Sequence, residues 1–305
     1  MRASVVICTL NRSAALKHCF AALEAQTAPP DRVEIVVVDN GSTDETSSVI
    51  KQFQRGARYP VRSCIEEQLG LSHARNRGVA EARHELVIFL DDDAVPTPGW
   101  LAAYLDAFGT TGVDCAGGRI VLDWQAPRPN WLHPAIDPLL GLIDLGERPR
   151  EFAFPWYYPA GGNIAFRREV FDTVGVFDPA LGVRPGRMIG SEETDLCYRL
   201  EQAGGRLVYE PRAQVTHPVA ATKLTKPWFR RRAYHAGRTA CLVERKHMSA
   251  DQLLRLNFTR LAGPPPQIRI ALPRQAPAQA GAAAFLAEFR LLFATGYLGQ
   301  FLMTL

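Results

Sequence analysis

A short apolar segment that ends in three acidic residues places the strongest constraint on this chain. Leu86 to Leu90 are consecutive apolar residues, a run typical of a buried strand and too short for a typical helix, and Asp91–Asp93 follow directly. Three adjacent carboxylates repel one another unless a positive charge lies among them. A divalent cation with oxygen ligands, such as Mg2+ or Mn2+, meets that need and can hold a diphosphate at a strand end. The alternative is a solvated acidic turn that caps the helix after Thr97-Pro98.

Three more strands are predicted before this segment. They cover residues 4–8, 33–38 and 61–65, and segments with helical patterns separate them. The alternation of strands and helices predicts a parallel, doubly wound α/β sheet. Right-handed crossovers place all its strand ends on one edge, so Asp39, at the end of the second strand, is expected beside Asp91–Asp93.

Composition and missing motifs exclude several other classes of protein. The net charge of +4 over 305 residues is too small to indicate a nucleic-acid partner. The six cysteines form no CxxC pair, which argues against a zinc site or a disulfide framework and favours a cytoplasmic protein without a signal peptide. No GxGxxG motif follows the first strand and no P-loop motif is present, so any phosphate must be held by a metal and by arginines.

Four motifs in the first half of the chain resemble those of one enzyme family. They are Val6–Arg12, Val37–Asp44, Gly70–Asn76 and Leu90–Asp93. Their order and spacing are similar to those of the family 2 glycosyltransferases with the GT-A fold. The resemblance implies a Rossmann-like, mostly parallel central sheet flanked by helices, a variable half on the acceptor side and a C-terminal helical tail.

The resemblance also implies a donor site. It assigns the nucleotide-sugar to Thr9, Asn11, Arg12, Asp39, Arg75, Asp91 and Asp92. An aspartate such as Asp39 is suited to accept hydrogen bonds from a ribose hydroxyl or a uracil N–H, and a guanidinium such as that of Arg75 can pair with phosphate. Each side chain also has an ordinary interpretation, such as an Asx turn for Asp39 or a surface ion pair with Glu81 or Glu85 for Arg75.

A divalent metal, Mn2+ or Mg2+, is the cofactor that the resemblance implies. Asp93 is the expected ligand, with Asp91 beside it on the nucleotide side. His217 is a candidate third ligand, because a neutral imidazole can complete the coordination shell. A lone histidine is weaker support than the acidic run.

The second half contains the candidate residues for the sugars. Trp156 and Tyr158 lie in an aromatic segment and are expected to pack on sugar rings of the acceptor, although plain packing of a loop on the core explains them equally well. Gly161, Gly162 and Asn163 follow. Two glycines allow a ligand to approach the backbone closely, and Asn163 is expected to contact the donor sugar.

A second acidic run carries the predicted catalytic base. Ser191 is expected to cap a helix whose first turn contains Glu192, Glu193 and Asp195, where the helix dipole favours ionised carboxylates. A general base must be ionised before it takes a proton from an acceptor hydroxyl. By resemblance Glu193 is the base, with Glu192 as the alternative, and Asp195 braces the site or pairs with Arg199.

The remaining features concern organisation and partners. The basic residues between 223 and 232 are interpreted as a closing loop over the diphosphate, a solvated face or a contact with anionic lipid headgroups. The apolar tail after a proline-rich linker predicts an interfacial helix or a homodimer contact, with core packing as the alternative. Three segments are expected: a nucleotide-sugar half at 1–122, an acceptor and catalytic half at 123–262, and the linker and tail at 263–305.

The sequence therefore predicts an inverting, metal-dependent glycosyltransferase. Its donor is a nucleotide-diphosphate sugar, with UDP favoured, and its acceptor is a glycan or a lipid-linked glycan. A cytoplasmic enzyme, peripheral on the inner face of a membrane, is expected. A nucleotidyltransferase is disfavoured because no phosphate-binding loop follows the first strand. A non-catalytic sugar-nucleotide or glycan-binding protein is disfavoured because Asp91, Asp93 and Glu193 are all present.

Overall fold

A computed structural model describes residues 1–109, 112–152, 158–249, 251–253 and 280–303 of the chain. The strands in these ranges are β1 (Ala3–Thr9), β2 (Val33–Asp39), β3 (Val61–Ile65), β4 (Leu86–Leu90), β5 (Val95–Pro96), β6 (Cys115–Trp124), β7 (Arg150–Glu151), β8 (Asn163–Arg167) and β9 (Leu207–Val219). The α-helices are α1 (Ser13–Glu24), α2 (Thr46–Gly56), α3 (Leu71–Glu81), α4 (Trp100–Gly109), α5 (Glu169–Val174), α6 (Glu192–Gln202), α7 (Lys226–His247) and α8 (Ala280–Leu302).

The strands form one sheet in the order β3-β2-β1-β4-β8-β6-β9-β5, and β7 pairs with β9. The first four strands are parallel to one another, while β8 runs antiparallel between β4 and β6. Thr9 at the end of β1 pairs with Asp39 at the end of β2. Asp39 and the acidic run after β4 therefore share one edge of the sheet, which confirms the predicted arrangement.

The central strands are apolar because helices cover both of their faces. Every residue of β2 and β4 is buried, as expected for parallel strands in the middle of an α/β sheet. The predicted strands at 61–65 and 86–90 match β3 and β4 to the residue. These buried strands form the main hydrophobic core.

A second hydrophobic core lies between helices α7 and α8 and the segment around residues 132–140. The α7 helix starts where Thr225 Oγ1 accepts a hydrogen bond from the backbone N–H of Trp228, at a proline-containing first turn. The basic segment predicted as a closing loop is therefore helical from Lys226 onward. The tail forms the predicted helix, α8. One face of α8 packs in this core, which agrees with core packing, the alternative to an interfacial helix or a homodimer contact.

Candidate functional site

Hydrogen bonds join the loops that follow β1 and β2. Asn11 has a positive φ of 54°, a conformation that asparagine adopts more readily than most residues. Its Oδ1 accepts a hydrogen bond from the backbone N–H of Thr43 at 2.7 Å, and its own N–H donates to Ser42 Oγ at 2.9 Å. Ser42 N–H donates to Asp39 Oδ1 at 2.8 Å. The structure thus brings Asn11 and Asp39 together at the sheet edge.

Thr9 and Asp92 bind each other below this edge. Thr9 Oγ1 donates a hydrogen bond to Asp92 Oδ2 at 2.7 Å, and both residues are buried. Arg12 Nε lies 3.6 Å from Asp92 Oδ1. Burial raises the pKa of Asp92 to about 7, with Arg12 acting in the opposite direction. The Thr9 hydroxyl therefore donates its proton to Asp92, and its expected role beside the nucleotide stays a prediction.

Asp93 lies between two groups of different chemistry. Arg12 forms an ion pair with its carboxylate, and His217 Nε2 lies 3.6 Å from its Oδ1. That distance is too long for a hydrogen bond and short enough for both atoms to contact one cation. His217 Nδ1 is buried without a hydrogen-bond partner among the described residues. The carboxylate suits either Mn2+ or Mg2+, whereas an imidazole nitrogen suits a transition metal better, so the pair fits Mn2+ better than Mg2+.

The protein side chains alone do not form a complete metal site. Within the described ranges, no three acidic, histidine or cysteine side chains converge closely enough to hold an ion. Asp93 and His217 would therefore hold a metal together with oxygens of a bound diphosphate. Asp91 lies beside Arg75, with its Oδ1 3.6 Å from Arg75 Nη2.

Arg75 joins two acidic runs that are more than 90 residues apart in the chain. Its side chain is only 5% exposed. It forms an ion pair with Glu192, whose side chain is 2% exposed, and its Nη1 lies 3.9 Å from Glu193 Oε2. Together with its contact to Asp91, Arg75 connects the end of β4 to the first turn of α6.

Two aromatic rings also lie close to the guanidinium of Arg75. Its Cζ lies 5.9 Å from the ring centre of Phe89 and 5.6 Å from that of Phe177. Phe177 follows α5, and no signal in the sequence marked it. Since Arg75 is enclosed by carboxylates and rings, it supports the acidic residues, and its expected contact with phosphate stays a prediction.

The two glycines before β8 leave room for this arrangement. A Cβ at Gly161 would lie 2.5 Å from both terminal nitrogens of Arg75, and one at Gly162 would lie 2.3 Å from Asp91 Oδ2. A side chain at either position would displace Arg75 or Asp91. The glycines were expected at a ligand, and the structure shows that the groups they approach closely are Arg75 and Asp91.

Asn163 lies under the site and is fully buried. Its Oδ1 accepts hydrogen bonds from Trp100 Nε1 and Tyr104 Oη, each at 2.8 Å. Its Nδ2 donates to the backbone oxygens of Arg119 at 3.0 Å and Ala213 at 2.8 Å. All four hydrogen-bonding positions of the amide are therefore used within the protein. The expected contact with the donor sugar is corrected to a structural role, because no donor or acceptor of this side chain is free.

The first turn of α6 presents the predicted catalytic carboxylates. Ser191 precedes the helix with a positive φ of 66° and makes no side-chain capping hydrogen bond, so the predicted serine cap is wrong. Burial, and then the neighbouring Glu192, raise the pKa of Glu193 to about 7, while Arg75 opposes the rise. The expected stabilisation of its ionised form by the helix dipole is therefore outweighed. A pKa near neutrality suits a group that must take a proton.

Asp195, on α6, forms ion pairs with residues at the end of α7. Its buried carboxylate lies 3.0 Å from Arg199 Nε, 2.8 Å from Lys246 Nζ and 2.7 Å from His247 Nε2. The predicted pair with Arg199 is confirmed. The contacts with Lys246 and His247 were not predicted, because they join residues about 50 positions apart and follow no local pattern. Asp195 thus braces the turn that carries Glu192 and Glu193.

Two cations of the basic segment interact electrostatically with the acidic runs. Burial lowers the pKa of Lys223, with Asp93 opposing and Arg12 and Arg232 reinforcing the decrease. Burial also lowers the pKa of Arg232, with Glu193 and then Glu192 opposing. Lys223 and Arg232 are therefore the members of this segment that lie near the acidic runs. Lys226, Arg230 and Arg231 are exposed.

The structure gives partial information on the predicted acceptor residues. Trp156 lies outside the described residues. Tyr158 Oη donates a hydrogen bond to Glu201 Oε2 at 2.5 Å, and its ring packs against the main core. This contact agrees with the alternative of plain packing for Tyr158.

The comparisons with known proteins decide the family. The chain matches the sequence model described as glycosyl transferase family 2 over residues 4–175, more than half of its length. The chain belongs to this family. The transferase is 29% identical to the glucosyl-dolichyl phosphate glucuronosyltransferase of Haloferax volcanii, over 78% of this chain and 75% of that protein. It is 31% identical to the pre-mycofactocin glycosyltransferase of Mycobacterium tuberculosis over 79% of this chain, but it spans only 47% of that protein.

A solved structure agrees on the fold. The mannosyltransferase PcManGT of Pyrobaculum calidifontis, in complex with GDP-Man and Mn2+, resembles the transferase with a TM-score of 0.65 at 21% sequence identity. The likeness covers 97% of this chain and 87% of that one. The transferase therefore has the GT-A fold, and the predicted family, fold and enzyme class are confirmed.

Proposed function

We propose that this glycosyltransferase moves a sugar from a nucleotide-diphosphate sugar to a hydroxyl group of a glycan or a lipid-linked glycan, with inversion and with Mn2+ or Mg2+. The observation that carries the proposal is the position of Arg75, which lies between Asp91 and the pair Glu192 and Glu193. The strand end that faces a donor diphosphate and the helix turn that carries a base thereby belong to one site. UDP is the first nucleotide to test, and GDP is the second because PcManGT was solved with GDP-Man.

The donor lies along the sheet edge in this proposal. Asp39 Oδ1 accepts a hydrogen bond from the Ser42 N–H, and its other oxygen accepts one from the nucleoside. Asp93 and His217 would hold the divalent metal. When bound, that ion neutralises charge on the departing diphosphate. Arg12, which pairs with Asp93 in this structure, is close enough to shift its ion pair to a phosphate oxygen.

Glu193 is the proposed base. Its carboxylate takes the proton from the acceptor hydroxyl as the hydroxyl oxygen forms a bond to the anomeric carbon of the donor sugar. The bond from that carbon to the diphosphate oxygen breaks, and the diphosphate leaves with the electron pair. One displacement of this kind inverts the configuration. Glu192 is less suited as the base because Arg75 binds it in a nearly inaccessible position.

Lys223 and Arg232 are proposed to stabilise the charge that develops on the leaving diphosphate. Both are partly buried cations near the acidic runs, and a positive charge in a poorly solvated position acts strongly on a nearby anion. They reach the site from the start of α7 and the turn before it. Closure of this segment over the donor would exclude water from the reaction.

A lipid-linked acceptor and a peripheral membrane position are proposed for the enzyme in the cytoplasm. The relative from Haloferax volcanii is named for a dolichyl phosphate-linked substrate. A carrier of this kind remains in a bilayer, so an enzyme that acts on one must work at a membrane surface. The apolar C-terminal helix gives this chain a segment able to contact that surface.

Binding calorimetry tests the donor site. Sugars linked to UDP, GDP, TDP and CMP are titrated into the wild type with Mn2+ and with EDTA, and into Asp93→Ala. Metal-dependent binding of one nucleotide, lost in Asp93→Ala, is expected. A folded protein that binds none of these donors would refute the proposed donor site. Inversion is checked separately by NMR of the product's anomeric proton.

A further inference from the structure

The C-terminal helix α8 is apolar on two opposite faces. One face packs in the second core through Phe285, Leu286, Phe289, Phe293 and Tyr297. The other face is in solvent, where Leu291 is 68% exposed, Leu298 59% and Leu302 68%. Ala284 and Ala287 are exposed on the same side, since three to four residues separate neighbours on one face of a helix. These five residues form what we call the apolar stripe.

The helix pair α7 and α8 is strongly basic, and most of this charge lies on α7, since α8 itself has one arginine and one glutamate. The segments of α7 and α8 contain eight lysines and arginines against two glutamates, whereas the whole chain has 35 against 31 acidic residues. More than the chain's entire positive excess therefore lies in this helix pair. Arg290 is exposed beside Leu291, and the ion pair of Arg230 with Glu288 lies at the other border of the stripe.

We infer that the apolar stripe docks on an anionic lipid bilayer, with the leucines in the interfacial region and the surrounding arginines against the headgroups. An apolar helix face bordered by basic residues is the arrangement that binds in the plane of a membrane interface. By length and composition α8 is also able to cross a membrane. Its opposite face is packed on α7 by hydrogen bonds such as Arg238 Nε to Gln300 Oε1 at 3.0 Å, so the helix lies on the bilayer.

A second copy of the chain is a poorer occupant of the stripe. A symmetric dimer joins the same surface of both partners, so the basic residues around one stripe would meet those around the other. Like charges that face one another at an interface oppose association. An anionic membrane instead presents the opposite charge over the whole area.

Docking through α8 would also fix the position of the active site relative to the bilayer. The stripe is on α8, α8 packs on α7, and α7 carries Arg232 toward Glu192 and Glu193. The helix pair that lies on the bilayer is therefore the one that leads to the proposed base. This inference rests on the proposed function and deepens it, because it assigns the membrane contact to the apolar stripe and to anionic lipid.

Vesicle sedimentation tests the inference without donor or acceptor, so its result does not depend on transferase activity. The wild type is mixed with phosphatidylcholine vesicles that either contain or lack phosphatidylglycerol. The test variant is Leu291→Gln/Leu298→Gln/Leu302→Gln. The matched control is Ile65→Gln/Val176→Gln/Val183→Gln, which removes three exposed apolar side chains elsewhere on the surface. Thermal unfolding of each variant verifies that it is folded.

Binding of the wild type and the control to vesicles with phosphatidylglycerol is expected, with binding of the leucine variant weakened by roughly tenfold or more. Arg231→Gln/Arg290→Gln should reduce the preference for phosphatidylglycerol and its sensitivity to salt. Equal binding by the leucine variant and the control would overturn the inference. Failure of the wild type to bind either kind of vesicle would also overturn it. In that case, a wild-type dimer that dissociates in the leucine variant would identify a second copy as the occupant.

Discussion

Arg75 and Glu192 form an ion pair in the interior of the protein, with side chains only 5% and 2% exposed. The pair joins α3 to the first turn of α6, and so fixes the turn that carries the proposed base. Since water reaches neither group, each depends on the other for its charge to be tolerated. The pair therefore has a structural consequence and a catalytic one, and the two can be separated by mutation.

Arg75→Met should destabilise the fold by about 3–5 kcal/mol, because it leaves Glu192 buried without its counter-charge. Urea unfolding measures this loss. The control is Arg77→Met on the same helix, where the ion pair with Glu81 is exposed to solvent and should contribute little. Equal losses in the two variants would show that burial of the Arg75 pair has no special effect.

Glu193→Gln should reduce kcat about a hundredfold to ten-thousandfold while the donor dissociation constant changes little, because the amide cannot take the acceptor proton. Steady-state kinetics and calorimetry on the same preparation test both parts. Glu192→Gln should lower stability and reduce kcat less, since Arg75 loses its main partner but the base is retained. The reverse order of the two kcat losses would assign the base to Glu192.

The pH profile should follow the ionisation of Glu193. Its pKa is raised to about 7, and only the deprotonated form is a base, so kcat/KM should fall about tenfold per pH unit below 7 and level off above it. Asp92 also has a pKa of about 7, so donor affinity across the same pH range is the necessary control. A flat profile with constant donor affinity would contradict the role of Glu193.

The parallel half of the fold could be predicted because its signal is local. An apolar run such as Leu86–Leu90 specifies a buried strand, and alternation with helices specifies the edge at which Asp39 and Asp93 meet. Local patterns of this kind also identify the acidic residues. They do not identify the atoms that these residues contact.

Contacts between distant segments could not be predicted. The partners of Arg75, Asn163 and Asp195 come from elements far away in the chain, so no periodicity or spacing reports them. Asn163 is a clear case, since the motif around it resembles a ligand-binding turn while its amide is used entirely inside the protein. Likewise, the amphipathic pattern of the tail could not say that α7 would cover one of its faces.

His217→Gln should weaken Mn2+ binding in the presence of nucleotide diphosphate by at least roughly tenfold, since even the outer partners of metal ligands contribute ten- to hundredfold. Manganese titration followed by electron paramagnetic resonance measures the free ion. His84→Gln is the matched control, because His84 also has a buried Nδ1 without a partner among the described residues. Unchanged affinity in His217→Gln would leave the metal to Asp93 and the diphosphate alone.

Gly237→Ala should destabilise the protein by about 1–3 kcal/mol, because a side chain at this position forces two packed helices apart. A Cβ at Gly237 would lie 2.0 Å from the backbone oxygen of Phe293, and one at Gly296 would lie 2.0 Å from that of Tyr234, so the backbones of α7 and α8 are in direct contact at this crossing. Gly281→Ala is the control: a Cβ there meets no atom within 4 Å, and helix propensity should stabilise the protein by about 0.5–1 kcal/mol. Calorimetric unfolding distinguishes the two.

Since α7 also carries Arg232, a lower kcat in folded Gly237→Ala is expected, and an unchanged kcat would show that the crossing does not position the catalytic cations.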